Sequence, residues 1–126
     1  MRWRATVAAA LLAAVLLAGL ALRAHAVRLC GEIAGPLEQT AEALSERKAV
    51  SLDNIVTARE NWNNALPFFS ALITHEWLDG VTEGLARAEG FLLCEEDSEA
   101  LAELRSLLIL LKRISEYDRL SLRNIL

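Results

Sequence analysis

The sequence predicts an all-α protein, in which an N-terminal transmembrane helix continues into a small antiparallel bundle of two to four helices. Hydrophobic residues make up 54% of the 126 residues, whereas Gly and Pro together number only eight. Apolar residues recur at steps of three and four, the period of one helix face, without the alternation typical of strands. A chain of this length holds one domain, so we divide it into a membrane segment, 1–26, and a bundle, 27–126.

The first segment is predicted to enter a membrane. Ala5–Leu22 contains no charge and is about 27 Å long as a helix, close to a hydrocarbon core of about 30 Å. Arg2 and Arg4 precede this run and Arg23 follows it, an arrangement that weakly favours an inside N-terminus and an extracytoplasmic bundle. The length of the run favours a retained anchor. The alternative is that the segment is a secretory signal that is cleaved after Ala26, so that the remaining protein is secreted.

We expect the membrane helix to continue as an amphipathic stalk to about Lys48. Apolar residues in 29–44 keep steps of three and four. Gly31, Gly35 and Pro36 predict a kink or break just outside the membrane, because proline lacks the N–H that a helix needs at that position.

The longest apolar series predicts the central helix of the bundle. It passes through Pro67 in register, so we expect one long helix that is kinked at this proline. The alternative is a new helix that begins near Pro67 and is capped by Asn63 or Asn64. The members of the series are Trp62, Leu66, Phe69, Ile73, Trp77, Val81, Leu85, Ala88 and Leu92.

The last predicted helix, about Ser98–Ser115, is apolar on more than one face. Such a helix either lies centrally or contacts another chain, because several exposed Leu and Ile side chains would be unusual in a monomer. We therefore expect a protein partner or self-association through Leu101–Ile114. The apolar tail, Tyr117–Leu126, is expected to fold back onto the bundle.

The charge distribution argues against nucleic acid as a partner. All seventeen acidic residues lie after residue 26, whereas three of the thirteen basic residues precede it. The remainder of the chain therefore carries ten basic and seventeen acidic side chains. A protein that binds the phosphate backbone would instead need a basic surface.

One cluster has chemical potential, formed by His75, Glu76, Asp79 and Glu83. His75, Asp79 and Glu83 share one helix side, with Glu76 about 100° around the axis. In zinc-protease helices two histidines four residues apart bind metal, but Asp79 stands where the second histidine would be. Metal sites on helices also need ligands from facing helices. We favour a hydrogen-bonded helix face, keep a metal- or ligand-binding protein as the second hypothesis, and predict no catalytic residue and no cofactor.

Cys30 and Cys94 are the only cysteines, and their spacing is not that of a metal site. In an oxidising compartment they could form a disulfide if their Cα atoms came within about 7 Å. Two free buried thiols are the alternative.

Five features carry a family resemblance: the N-terminal anchor, Trp62, His75-Glu76 with Leu78-Asp79, Leu101–Leu111 and the closing Leu120–Leu126. Their order resembles an uncharacterised family, a domain of unknown function, of short single-anchor membrane proteins from Gram-positive, spore-forming bacteria. The resemblance implies an anchored helical domain at a bacterial cell membrane and no activity. The expected function is a non-enzymatic, membrane-anchored helical scaffold or regulatory interaction protein.

Overall fold

The structure is a computed structural model that describes residues 2–117, and the predicted tail beyond Tyr117 lies outside these residues. No strand occurs in the described part of the chain, so the all-α prediction is confirmed. The four helices are α1 (Arg2–Ser45), α2 (Asp53–Ser70), α3 (His75–Leu93) and α4 (Asp97–Ser115).

The four helices form a closed bundle in which each contacts two neighbours. α1 contacts α2 and α4, and α3 contacts the same two helices. The buried positions alternate between steps of three and four, which lines one stripe of each helix as in coiled coils and four-helix bundles. In α1 these positions are Ala26, Cys30, Ile33, Leu37, Thr40 and Leu44, and in α4 they are Ala100, Leu104, Leu107, Leu111 and Ile114.

Helix α1 is far longer than the others. Its 44 residues span about 66 Å, whereas α2, α3 and α4 have 18 or 19 residues and span less than half of that. Apart from Gly19, the buried positions of α1 begin at Ala26. Only 6% of its most apolar 18-residue window is buried, and among the described helices it alone is long and apolar enough to cross a membrane. The apolar half of α1 therefore projects from the bundle.

The predicted break near Pro36 does not form, because α1 runs through this residue to Ser45. Pro36 cannot donate to the carbonyl of Glu32, four residues earlier. The side-chain Nδ2 of Asn61 in α2 donates to this carbonyl oxygen instead, at 3.0 Å. A contact between helices thus replaces the missing bond within α1.

The prediction of one long helix kinked at Pro67 is wrong, and so is the alternative of a helix that begins there. α2 continues through Pro67 to Ser70, and α3 begins only at His75. Pro67 lies exposed in the last turns of α2, where the missing bond leaves the carbonyl of an exposed residue free for water. The apolar series stays in register because Ile73, within the reversal, is also buried.

Helix α4 uses most of its apolar surface within the chain. It packs against both α1 and α3, so two of its faces are covered. On the α3 side, a Cβ atom on Gly84 would lie 2.6 Å from Cδ2 of Leu107, so glycine is what allows this close approach. Ile109 is the exception to this burial, with 55% of its surface exposed.

Contacts between helices fix the two ends of the bundle. Asn61 contacts Glu32, and seven residues later the ring of Phe68 contacts His25, so α2 runs antiparallel to α1. The end from which the apolar half of α1 projects, which we call the anchor end after the predicted anchor, also holds the turn 71–74 and the end of α4. The opposite, distal end holds the segments 46–52 and 94–96.

Candidate functional site

The predicted cluster of His75, Asp79 and Glu83 lies on α3 and begins at its first residue. His75 is the first residue of α3, and Asp79 and Glu83 follow one and two turns later. All three side chains are exposed. They share one side of α3 as predicted, at the anchor end of the bundle.

Glu83 and its surroundings form ion pairs that join α3 to α4. Arg87 lies 3.9 Å from Glu83, one turn away, and its Nη2 atom lies 2.9 Å from Oε1 of Glu103 in α4. The hydrogen bond that Arg87 donates to Glu103, together with the negative charge of Glu103, raises the pKa of Arg87 above its usual value. Glu83 is thus occupied as a partner of a cation, which agrees with a stabilising helix face.

No metal centre is assembled from these residues. Among residues 2–117, no group of three or more His, Cys, Asp or Glu side chains is arranged to hold a metal ion. The role of His75, Asp79 and Glu83 in metal binding stays a prediction. Metal analysis of the purified chain beside its His75→Ala variant would test it.

The two cysteines are both free in the structure, as in the alternative to a disulfide, although only Cys30 is buried. Cys30 lies in the half of α1 that faces the end of α4, whereas Cys94 follows α3 at the distal end. Leu44, near the distal end, is fourteen residues from Cys30, about 21 Å along the helix, so the Cα atoms cannot come within bonding range. Cys30 is buried, and burial raises the pKa of its thiol to about 11, whereas Cys94 is exposed.

An open groove of about 410 Å³ runs between α1 and α4, beside the anchor end. Its floor is open because Gly31 has no heavy atom within 4 Å of the position that a Cβ would take. The exposed apolar side chains of Val27 and Ile109 line it, and Glu38 and Lys112 supply its charges. The groove offers an apolar contact surface of a size suited to side chains of another protein.

The sequence did not predict this groove. The residues that could have indicated it are the small Gly31 and Ala34 on α1 and the apolar Ile109 on α4. Their proximity depends on how the two helices pair, which the sequence does not show. The apolar series of the central helix, in contrast, was assigned correctly to the core at two of its aromatic residues. Trp62 and Phe69 are buried and stack with ring centroids 5.8 Å apart.

Comparison with known proteins gives a family but no activity. A family model described as a domain of unknown function (DUF4363) matches residues 37–125. No curated protein and no solved structure matches the chain. The predicted resemblance to a family of unknown function is confirmed, whereas its single anchor and its Gram-positive, spore-forming source stay predictions. The match covers most of the chain, which therefore belongs to the DUF4363 family.

Proposed function

We propose that this protein is a single-pass protein of a bacterial cell membrane, whose helical bundle lies outside the cytoplasm and acts without catalysis by binding another protein. The observation that carries the proposal is the projecting apolar half of α1. Almost none of its most apolar window is buried. An exposed apolar surface of this extent is typical of a segment that contacts lipid or protein.

The junction between this segment and the bundle favours a retained anchor over a cleaved signal. α1 is continuous through residues 24–26, and Ala26 is fully buried in the core. The ring of His25 packs edge-on against Phe68 of α2, with centroids 4.7 Å apart. Cleavage after Ala26 would remove both contacts from the folded protein.

The charges near the anchor support the proposed orientation. Arg2 and Arg4 lie before the apolar run, with the terminal amine, and Arg23 and Arg28 lie after it. The positive-inside rule gives only a small preference from so even a distribution.

The α1–α4 groove is the surface that we propose for the partner. It contains Ile109, the exposed large apolar side chain of the predicted contact helix Leu101–Ile114, and Val27, which is also exposed. Apolar side chains at the centre of an interface contribute most of the binding free energy when they become fully desolvated. A partner that fills the groove would bury both.

A photoreactive side chain placed at Ile109 of the full chain tests this proposal in native membranes. Leu93, equally large, apolar and exposed but at the distal end, is the matched control position. We expect one discrete adduct from position 109, little from position 93, and loss of the adduct in a Gly31→Leu variant. That substitution fills the groove, and there is space for its side chain.

The adduct's mass distinguishes a second copy of this chain from a different protein. Equal labelling from both positions, or an adduct that Gly31→Leu leaves unchanged, would contradict a partner in the groove. Recovery of the unmodified chain in the soluble fraction would contradict the anchor itself.

A further inference from the structure

The two ends of the bundle differ sharply in polarity. The segments at the distal end carry Glu46, Arg47 and Lys48 in one case, and Glu95 and Glu96 in the other. At the anchor end, the chain has no charged residue from Asn61 to Thr74, through the end of α2 and the whole turn into α3. A turn in water is ordinarily polar, so the uncharged turn indicates a less polar environment.

The register of α2 on α1 places this turn at a definite height. Phe68 contacts His25, so two residues further along α2, Ser70 lies level with Arg23. Ala71 then lies level with Leu22, the last residue of the uncharged run in α1. The turn therefore reaches the height at which the proposed anchor leaves the hydrocarbon core.

The polar layer of a bilayer is roughly 5–7 Å thick on each side of the hydrocarbon core. His25 and Phe68 lie about 3 Å above Arg23, within that layer. Because α1 is one continuous helix, no flexible linker separates the bundle from the bilayer. The anchor end must then contact the lipid headgroups.

Aromatic side chains at this end suit that environment. The rings of Trp77 and Tyr117 pack against each other with centroids 4.9 Å apart, and both residues are partly exposed. Phe68 and Leu72 are partly exposed as well. Trp and Tyr are enriched where proteins meet the bilayer interface, because their rings are apolar with one polar group.

The charges around the anchor end are mixed, so they do not select anionic lipid. The α1–α4 side carries Arg23, Arg28, Lys112 and Arg113, and the α3 side carries Glu76 and Asp79, with Glu32 and Glu116 also near this end. Zwitterionic headgroups can accommodate both signs. Contact through the uncharged turn does not depend on a charged headgroup.

We propose that the α2–α3 turn, with Phe68, Leu72 and the Trp77–Tyr117 pair, is a second membrane contact that lies in the interfacial layer of the same bilayer as the anchor. This inference rests on the proposed anchoring of α1. With two contacts, the bundle is held at a fixed height and rotation on the membrane. The α1–α4 groove then opens sideways, just above the headgroups.

An environment-sensitive fluorophore at residue 71 tests this contact. The full-length Ala71→Cys/Cys94→Ser variant is labelled and reconstituted in phosphatidylcholine vesicles. Ala71 is exposed, so the probe leaves the core intact, and buried Cys30 stays unlabelled, which the Cys94→Ser variant verifies. The native chain labelled at Cys94 is the control at the distal end.

We expect the probe at residue 71 to emit at shorter wavelength than the probe at Cys94 and to be quenched by nitroxide-bearing lipids. Iodide in the buffer should quench it several-fold less than the probe at Cys94. Equal iodide quenching at both positions, in protein that floats with the vesicles, would overturn the second contact and leave the anchor intact. Protein that does not float would overturn the proposed anchor, and this inference with it.

Discussion

The two cysteines differ in environment, and that difference gives a direct test of the bundle at the scale of single residues. Cys30 lies on the side of α1 that faces the bundle core. Its burial raises the pKa of the thiol from its usual 9.0 to about 11. At pH 8 the thiol is neutral and shielded, so it is a poor nucleophile. Cys94 is exposed beyond the end of α3.

We expect one thiol of the folded chain to react with an aromatic disulfide reagent at pH 8. In denaturant both thiols should react. Reaction of Cys30 should increase as the pH approaches 11. Because the folded state holds the thiol proton more tightly, this group's contribution to stability is present below pH 9 and decreases between pH 9 and about 11. A thiol titration with and without denaturant, on the native chain and on Cys94→Ser, measures how many thiols react and at which pH Cys30 becomes reactive.

Two equally reactive thiols in the folded chain would contradict the burial of Cys30. An absence of reactive thiols would instead indicate the disulfide that the structure excludes. The free state of both cysteines is thus tested by the same titration.

At the scale of helices, the continuity of α1 depends on a contact with α2. Pro36 leaves the carbonyl of Glu32 without its helical donor, and Asn61 supplies one. Replacing Asn61 by Ala should destabilise the bundle by about 0.5–1.5 kcal/mol, the usual net value of one hydrogen bond, with the lower end expected because this bond is exposed.

A double-mutant cycle tests whether Asn61 acts through Pro36. In Pro36→Ala the backbone N–H of residue 36 can bond Glu32 itself, so Asn61→Ala should cost less in that background. Thermal unfolding of the full-length variants in detergent measures the coupling. An equal cost of Asn61→Ala in both backgrounds would show that this amide does not substitute for the missing N–H.

The helices show which features local sequence could predict. The heptad-like spacing of apolar residues predicted helices throughout, and the length of the run Ala5–Leu22 predicted a membrane segment. Neither proline ends a helix in the structure, contrary to the break considered at Pro36 and the kinked long helix predicted at Pro67. A proline predicts a lost backbone bond, but whether the helix breaks depends on what lies beside the free carbonyl: Asn61 at Pro36, and solvent at Pro67.

The reversal at residues 71–74 was missed because it does not interrupt the apolar series. Ile73 is buried within the turn, and Thr74, with an extended backbone, precedes α3. Periodicity reports which residues face the core, and a short turn that keeps this order has no separate signal. The α1–α4 groove likewise depends on helix pairing, which a single sequence does not specify.

At the scale of the whole molecule, α1 joins two environments. About half of it belongs to the bundle core, and the other half is an exposed apolar helix that continues the same axis. If the exposed half is the proposed anchor, no linker separates it from the bundle. The uncharged turn 71–74 lies at the same end of the bundle, as expected for a protein that contacts the bilayer there.

The family match divides α1 at a different point. It covers residues 37–125, so it leaves out the apolar half of α1 and also the buried bundle positions Ala26, Cys30 and Ile33. The matched region includes the distal part of α1 and all of α2, α3 and α4. The family match therefore covers most of the helical bundle, whereas the proposed anchor lies outside it.

The intact mass of the protein, isolated from washed membranes of the native host, tests the anchored bundle most directly. We predict a chain that retains the apolar residues 5–22 and resists extraction at alkaline pH, as expected if the apolar half of α1 spans the bilayer. A soluble chain that begins at Val27 would contradict the account, since it would show that this half is a signal that is removed.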